Sequence, residues 1–177
     1  MTHIREKLPS ILRDDSVGCE IGVFEGQYSQ VLADSKKFKK LYLVDIFQGI
    51  ASSGDKSGHN VKTYSDAGIL YDHNKSRFAN YDFIEVIKED GIDFLNRMPN
   101  TFDFIYIDTL HTYNHTLKEL EVAYTAIKSG GYICGHDYNE QYYSGLVRAV
   151  KEFCEKYSLS FKTTDQDFLE SYIIQKP

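Results

Sequence analysis

The sequence predicts an α/β domain whose mainly parallel sheet is covered by helices on both faces. Two observations predict this class. Five apolar, strand-like segments alternate with helical patterns along the chain, and two further strand-like segments follow them. The 177 residues suit a single domain, 1–177, with a sizeable core. Parallel strands joined by right-handed crossovers place their carboxyl ends at one rim of the sheet, so we look for a site there.

The first segment, residues 1–14, has apolar side chains at roughly helical spacing. Pro9 interrupts the pattern, because proline removes a backbone donor and disfavours a helix before it. We expect a short leading helix that covers one edge of the sheet or of the site.

A glycine turn joins the first strand, which begins at Ser16-Val-Gly-Cys19, to a helix that continues to about Ala33. Glycine allows positive φ and close approach of a ligand, and the helix that follows offers unpaired N–H groups. Such a turn at the carboxyl end of a parallel strand is a nucleotide-binding position, although it also occurs for structural reasons alone. The spacing is E-x-G-x-x-x-G-x-x-S rather than the dinucleotide pattern G-x-G-x-x-G, and its residues are Glu20, Gly22, Gly26 and Ser29.

The second predicted strand, Leu41–Asp45, ends in an acid. Asp45 follows the glycine turn by about 20 residues, the position that accepts hydrogen bonds from ribose hydroxyls in such folds. A helix N-cap or a loop acid is the alternative. The basic cluster Lys36–Lys40 before this strand is predicted to be a solvated connection.

Residues 47–80 are the least regular part of the sequence, and we predict that they form a lid over the ligand. The end of this segment, from about Asp66 to Asn80, has a helical pattern. Its candidate inward positions are Ile69, Leu70, His73 and Phe78.

The third and fourth predicted strands, Tyr81–Lys88 and Thr101–Asp108, are again followed by acids. Asp90 could bind the exocyclic amine of adenine or cap the short helix that it precedes. The fourth strand leads through His111 into an amphipathic helix from Tyr113 to Ile127, which we expect Gly130 and Gly131 to terminate.

The fifth predicted strand, Tyr132–Gly135, is followed by His136 and Asp137. A helix with one apolar face follows, and the strands Leu159–Thr163 and Ser171–Gln175 complete the pattern. Acids or imidazoles therefore follow each of the five parallel strands. The side chains expected at the common rim are Glu20, Asp45, Asp90, Asp108, His111, His136 and Asp137.

Composition excludes several classes of function. The net charge of −6 argues against a nucleic-acid surface, which is normally basic. No apolar run is long enough to span a bilayer, and the N-terminus lacks the apolar region of a secretory signal. Three cysteines in no metal-like spacing fit a cytoplasmic protein. The sequence leaves the oligomeric state open, a homodimer included.

Three stretches resemble motifs of the class I S-adenosylmethionine (SAM) methyltransferases, and the resemblance covers essentially the whole chain. They are E-I-G-V-F-E-G-Q-Y-S, F-D-F-I-Y-I-D-T-L-H-T-Y and G-G-Y-I-C-G-H-D-Y. More narrowly, the chain resembles the small-domain branch of the methyltransferase family 24 type, with sugar and macrolide O-methyltransferases and related proteins of cephalosporin biosynthesis. The resemblance implies a Rossmann-like three-layer sandwich with a seven-stranded sheet of order 3-2-1-4-5-7-6, strand 7 being antiparallel.

The resemblance also implies roles for the rim residues. Asp45 would hold the ribose of SAM, and Asp90 the adenine. The residues that would surround the methionine part are Glu20, Gly22, Gly26 and Ser29, with Asp108 beside them.

In metal-dependent relatives, an Asp after strand 4 and an acidic pair after strand 5 bind Mg²⁺. Asp108, His136 and Asp137 stand at these positions, and His111 stands where relatives have a general base. His136 replaces a carboxylate. Mg²⁺ prefers oxygen ligands, so the imidazole leaves room for another divalent metal such as Mn²⁺ or Fe²⁺. Metal binding stays open at this point.

These observations predict methyl transfer from SAM to the hydroxyl of a small molecule of the sugar or natural-product type, with or without a metal. His111 would accept the proton, and Asp108 would bind the acceptor. One alternative is a nicotinamide-dependent oxidoreductase, against which the wide glycine spacing and the lack of a suitably placed Tyr-x-x-x-Lys count. The other alternative is a protein that binds SAM without catalysis.

Overall fold

A computed structural model describes residues 4–48, 67–164 and 169–177 of the protein. In these ranges seven strands form one sheet in the order β3-β2-β1-β4-β5-β7-β6, which confirms the predicted fold. The strands are β1 Ser16–Ile21, β2 Phe38–Asp45, β3 Ile84–Lys88, β4 Phe102–Ile107, β5 Ile127–Tyr138, β6 Phe161–Thr163 and β7 Glu170–Gln175. The helices are a leading 3₁₀ helix Ile4–Ile11, α1 Gln27–Asp34, α2 Ala67–Arg77, α3 Gly91–Asn96, α4 Tyr113–Ala126 and α5 Ser144–Lys156.

The sheet has a core on each face. On one face, α3, α4 and α5 cover a cluster that includes Leu120 and Phe153. On the other face, α1, α2 and the leading 3₁₀ helix cover a cluster that includes Leu32 and Leu70. Every residue of β4 is buried, as expected of a central parallel strand with helices on both sides.

The ladder of the parallel strands continues one residue beyond their ends and thereby fixes the turns at the rim. The register pairs Ile21 with Ile107, and the Asp108 N–H then donates to the Ile21 carbonyl at 2.8 Å. In the same way, the Gly22 N–H donates to the Val44 carbonyl at 2.9 Å. The first residues of the candidate site are therefore held by sheet hydrogen bonds. β7 pairs antiparallel with both β5 and β6.

The prediction for the end of α4 was wrong. The helix ends at Ala126, and the glycine pair that was expected to cap it lies within β5. The reason is tertiary, because the carbonyls of Thr125 and Ala126 accept hydrogen bonds from the N–H groups of Asn100 and Thr101. With these carbonyls satisfied by a neighbouring segment, no glycine cap is required.

The second strand begins earlier than predicted, at Phe38 instead of Leu41. Gly18 allows this, since a Cβ at this glycine would lie 2.4 Å from the Phe38 ring. The basic cluster is accordingly part strand, and Lys40 forms an ion pair with Glu85 on β3 at 2.7 Å. β3 in turn begins at Ile84 instead of Tyr81.

The leading helix and the helix of the predicted lid also differ from the sequence-based predictions. The leading helix is a 3₁₀ helix that contains Pro9. The lid predicted for 47–80 falls largely outside the described residues. Its helix, α2, buries Leu70 but leaves Ile69 and His73 exposed, and Phe78, which follows α2, is buried. In the described ranges, no helix combines the length and the apolar character needed to cross a membrane.

Gly22 provides a test of how tightly the rim is packed. It has φ +87°, and a Cβ there would lie 2.0 Å from the Asp108 carbonyl oxygen. Gly130, with φ +79° and open space around it, is the matched control for backbone strain. We expect Gly22→Ala to lower the free energy of unfolding by about 2 to 5 kcal/mol, and Gly130→Ala by about 1 to 2 kcal/mol. Urea unfolding of both variants measures this, and equal losses would contradict the close contact.

Candidate active site

The predicted glycine turn forms one wall of the site. Gly22 and Gly26 both have positive φ, and Gly26 immediately precedes α1. Neither position has room for a side chain. A Cβ on Gly22 would overlap the Asp108 backbone, and a Cβ on Gly26 would lie 2.3 Å from Asn74 Oδ1. Asn74, which the sequence did not mark, is fully buried and donates to the Phe24 carbonyl at 2.7 Å. This hydrogen bond of Asn74 therefore connects α2 to the glycine turn.

Glu20 and Ser29 form a buried pair behind this turn. Glu20 is 2% exposed, and the Ser29 hydroxyl donates to its Oε2 at 2.5 Å. Burial raises the pKa of Glu20 to about 8, against the opposing effect of the Ser29 hydrogen bond. The structure thus places two of the residues predicted to bind SAM in direct contact. Their predicted role toward the methionine part of SAM stays a prediction.

Asp45 braces the glycine turn from β2. Its Oδ2 accepts the N–H groups of Val23 and Phe24 at 2.8 and 2.9 Å, and its Oδ1 accepts that of Phe47 at 2.7 Å. Phe24 and Phe47 have φ of 49° and 50°, an uncommon conformation for residues with a side chain. The carboxylate stabilises this backbone. Its predicted contact with ribose stays a prediction.

Asp90 has the capping role that the sequence left as one of two alternatives. Its Oδ1 accepts the N–H groups of Ile92 and Asp93 at 2.9 and 3.1 Å, which caps α3. The start of α3 packs closely on the end of β1, since a Cβ on Gly91 would lie 2.2 Å from Ile21 Cγ2. The proposed adenine contact of Asp90 stays a prediction.

The ends of β4 and β5 bring two acids and two imidazoles together. His111 Nε2 lies 2.8 Å from Asp137 Oδ2 and 3.9 Å from Asp108 Oδ1. His136 Nδ1 lies 2.9 Å from Asp137 Oδ1 and 3.8 Å from Asp108 Oδ2. Asp137 lies at φ 60°, a strained position for a residue with a side chain. The four residues predicted from strands 4 and 5 therefore form one cluster.

The charges of this cluster are strongly coupled. Burial disfavours an imidazolium at His111, but contact with Asp108 and Asp137 and their negative charges outweigh it and raise the pKa of His111 to about 10. Burial acts against ionisation of Asp137, yet contact with His111 and His136 holds the pKa of this carboxyl well below its usual range. At neutral pH the cluster therefore holds a proton on His111.

A divalent cation fits this cluster. Ligand atoms of Asp108, His111 and Asp137 all lie within 4.8 Å of one another. His111 Nε2 and Asp137 Oδ1 are buried, and in the described part of the chain neither has a well-directed hydrogen bond despite the short distances. Two carboxylates and an imidazole this close together suit a cation such as Mn²⁺ or Fe²⁺. His111 is part of this set, and the predicted metal role of His136 stays a prediction.

Arg5 is a site residue that the sequence did not indicate. It extends from the leading 3₁₀ helix, with its guanidinium 4.8 Å from the centre of the Tyr28 ring and Nη1 3.9 Å from Asp108 Oδ2. Leu8 and Leu12, both buried, hold this helix against the sheet. An arginine in a short amphipathic segment carries no signal of such a position, because only the tertiary fold brings it to Asp108.

The strand order and the helices on both faces of the sheet give the fold of the class I SAM-dependent methyltransferases. The crystal structure of SMU.1697c from Streptococcus mutans in complex with SAH matches with a TM-score of 0.68 at 12% identity, over 100% of this chain and 99% of that one. The N-methyltransferase NodS from Bradyrhizobium japonicum matches with a TM-score of 0.65 at 15% identity, over 98% and 92%. At these identities the likeness speaks for the fold.

The family is given by the sequence. A family model described as a methyltransferase domain matches residues 19–138, so the chain belongs to this methyltransferase family. The match favours SAM over the nicotinamide alternative. The uncharacterized protein R132 of Acanthamoeba polyphaga mimivirus is 28% identical over 146 residues, which cover 82% of this chain. The chain spans 62% of the length of that curated relative.

Glu20 gives a testable pH dependence. Its carboxyl has a pKa of about 8 in the folded protein and 4.5 as a free group. The folded state therefore binds the proton more tightly, so this stabilisation is fully present below pH 4.5 and is lost as the pH rises through 8. We expect the free energy of unfolding to fall by about 3 to 5 kcal/mol over this window.

Urea unfolding between pH 5 and 8, without ligands, measures this change. Glu20→Gln is the control, because its amide keeps an acceptor for Ser29 and cannot ionise. The variant should lack most of the decline. Parallel curves for the two proteins would show that Glu20 is not the titrating group.

Proposed function

We propose that the protein transfers the methyl group of SAM to the hydroxyl of a small molecule, with assistance from a divalent cation. The observation that carries this proposal is a contact at one rim of the sheet. It joins the glycine turn at residues 22–26, which is proposed to bind the methyl donor and is called the donor turn below, to the cluster of Asp108, His111, His136 and Asp137. Gly22 touches the Asp108 backbone, and Asp108 is 3.8 to 3.9 Å from both imidazoles. An acceptor held at Asp108 would therefore lie beside the donor.

His111 is the proposed base. In the transfer, the acceptor oxygen forms a bond to the methyl carbon while the carbon–sulfur bond breaks, and the hydroxyl proton moves to His111 Nε2. The products are a methyl ether and S-adenosylhomocysteine. Much of the acceleration would come from holding oxygen and methyl in line. Nε2 lies 2.8 Å from Asp137, which stabilises the imidazolium that results.

The pKa of about 10 sets a condition on this role, because a base must start neutral. The two carboxylates hold the proton on His111, and a cation bound to the same carboxylates would weaken that hold. Asp108 and Asp137 are the residues proposed to hold it. When bound, such a cation also lowers the pKa of a hydroxyl that it contacts.

The chemistry of this cluster supports a hydroxyl as the acceptor, and the sugar type comes from the family resemblance. Carboxylates and a hard cation suit a hydroxyl, above all one with a second hydroxyl beside it. A sugar or a comparable natural product is the proposed acceptor. The net charge of −6 supports a small molecule over a nucleic acid.

The first test is binding of SAM to the intact chain, measured by titration calorimetry. We expect saturable binding, weakened at least tenfold by Gly22→Ala, because the turn would shift where the donor lies. Gly130→Ala, remote from the rim, should bind as the wild type does. Lack of binding at millimolar SAM would refute the proposed function at its first step.

The second test separates the roles of His111. With a hydroxyl acceptor that supports turnover, His111→Ala should lower kcat by about 10²- to 10⁴-fold and leave Mn²⁺ affinity near the wild-type value. His115→Ala, in the first turn of α4, is the control. A loss of Mn²⁺ affinity in His111→Ala would instead assign this residue to the metal, and unchanged turnover would remove it from catalysis.

A further inference from the structure

A buried carboxylate on α4 contacts the residue next to Asp108. Glu119 is 3% exposed, and its Oε1 accepts a hydrogen bond from the Thr109 hydroxyl at 2.6 Å. His115 Nε2 lies 3.2 Å from the same oxygen. Oε2 is buried as well, and among the described residues it has no hydrogen-bond partner. None of the roles assigned above uses Thr109 or Glu119.

Packing does not explain Glu119. The other buried positions of α4 are Thr116 and the apolar Leu120, Ala123 and Ala126. A buried carboxylate with one oxygen lacking a donor is less favourable there than an apolar side chain of similar size. Glu119 provides two contacts that an apolar residue would not, the hydrogen bond to Thr109 and the ion pair with His115.

Thr109 is held on two sides. Its hydroxyl is bound by Glu119, and its Cγ2 faces the donor turn, where a Cβ on Gly22 would lie 3.0 Å away. A β-branched side chain has few rotamers, so these contacts fix its backbone as well. That backbone is the start of the turn from Asp108 to His111.

We infer that Thr109 and Glu119 form a positioning pair that holds Asp108, a proposed ligand of the divalent cation, in the position that binding the cation requires. The inference rests on the cation in the proposed function. Neither residue touches the reacting atoms. Glu119 acts through Thr109, as hydrogen-bonded neighbours of metal ligands do in other sites, where their loss weakens metal affinity about 10- to 100-fold.

Mn²⁺ titration of the full chain tests the pair. Thr109→Val keeps the shape of the side chain and removes the hydroxyl, and it should raise the Kd for Mn²⁺ by about 10- to 100-fold. Thr109→Ser keeps the donor and should retain wild-type affinity. Thr125→Val makes the same change at an exposed position of α4 and should have no effect. If Thr109→Val does not fold, Thr109→Ala gives the same measurement.

Glu119→Gln distinguishes the hydrogen bond from the charge, because it keeps an acceptor for Thr109 and removes the negative charge. It should bind Mn²⁺ about as well as the wild type. Wild-type affinity in folded Thr109→Val, even with reduced stability, would overturn the inference, as would a loss confined to Glu119→Gln. If the wild type itself binds no Mn²⁺, the cation and this inference both fail, while SAM titration still reports separately on binding of the methyl donor.

Discussion

The approach of Gly22 to the backbone of Asp108 is the contact on which the rest of the site depends. The pairing of β1 with β4 sets it, because the register places Ile21 beside Ile107 and their next residues meet at the rim. One methyl group at Gly22 would occupy the space of the Asp108 carbonyl. Sheet register and a missing side chain together give the donor turn and the acid cluster a common wall. Every proposed catalytic contact requires that wall.

Four of the five acids at this rim lie in clearly different environments. Burial favours the protonated form of Glu20, and backbone N–H groups surround Asp45. Two imidazoles stabilise the charge of Asp137. Asp108 is the most exposed acid of the cluster at β4 and β5, with 27% of its side chain accessible and its neighbours 3.8 Å away or more. It is therefore the acid best placed to bind a ligand.

The sequence predicted what depends on local pattern and strand direction. Alternating strands and helices predicted a mainly parallel sheet, and the resemblance to the class I SAM methyltransferases implied its strand order. The rule that parallel strands end at one rim brought Asp108, His111 and Asp137 together. Prediction from the sequence failed where contacts with a distant segment determine the local structure. The end of α4 depends on N–H groups that precede β4, and the position of Arg5 depends on how a 3₁₀ helix packs. Glu119 follows a helical pattern of burial that normally indicates an apolar residue.

An acid-rich rim raises a problem for the proposed reaction. Acids that stabilise the positive charge on the sulfonium of SAM also oppose the loss of that charge when the methyl group is transferred. The proton that leaves the acceptor resolves it. As the sulfur becomes neutral, His111 becomes an imidazolium, so the positive charge moves within the rim and does not disappear. Asp137, 2.8 Å from His111 Nε2, is placed to stabilise that charge where it arrives. The same acids can then stabilise the charge in the donor before transfer and on the base after it.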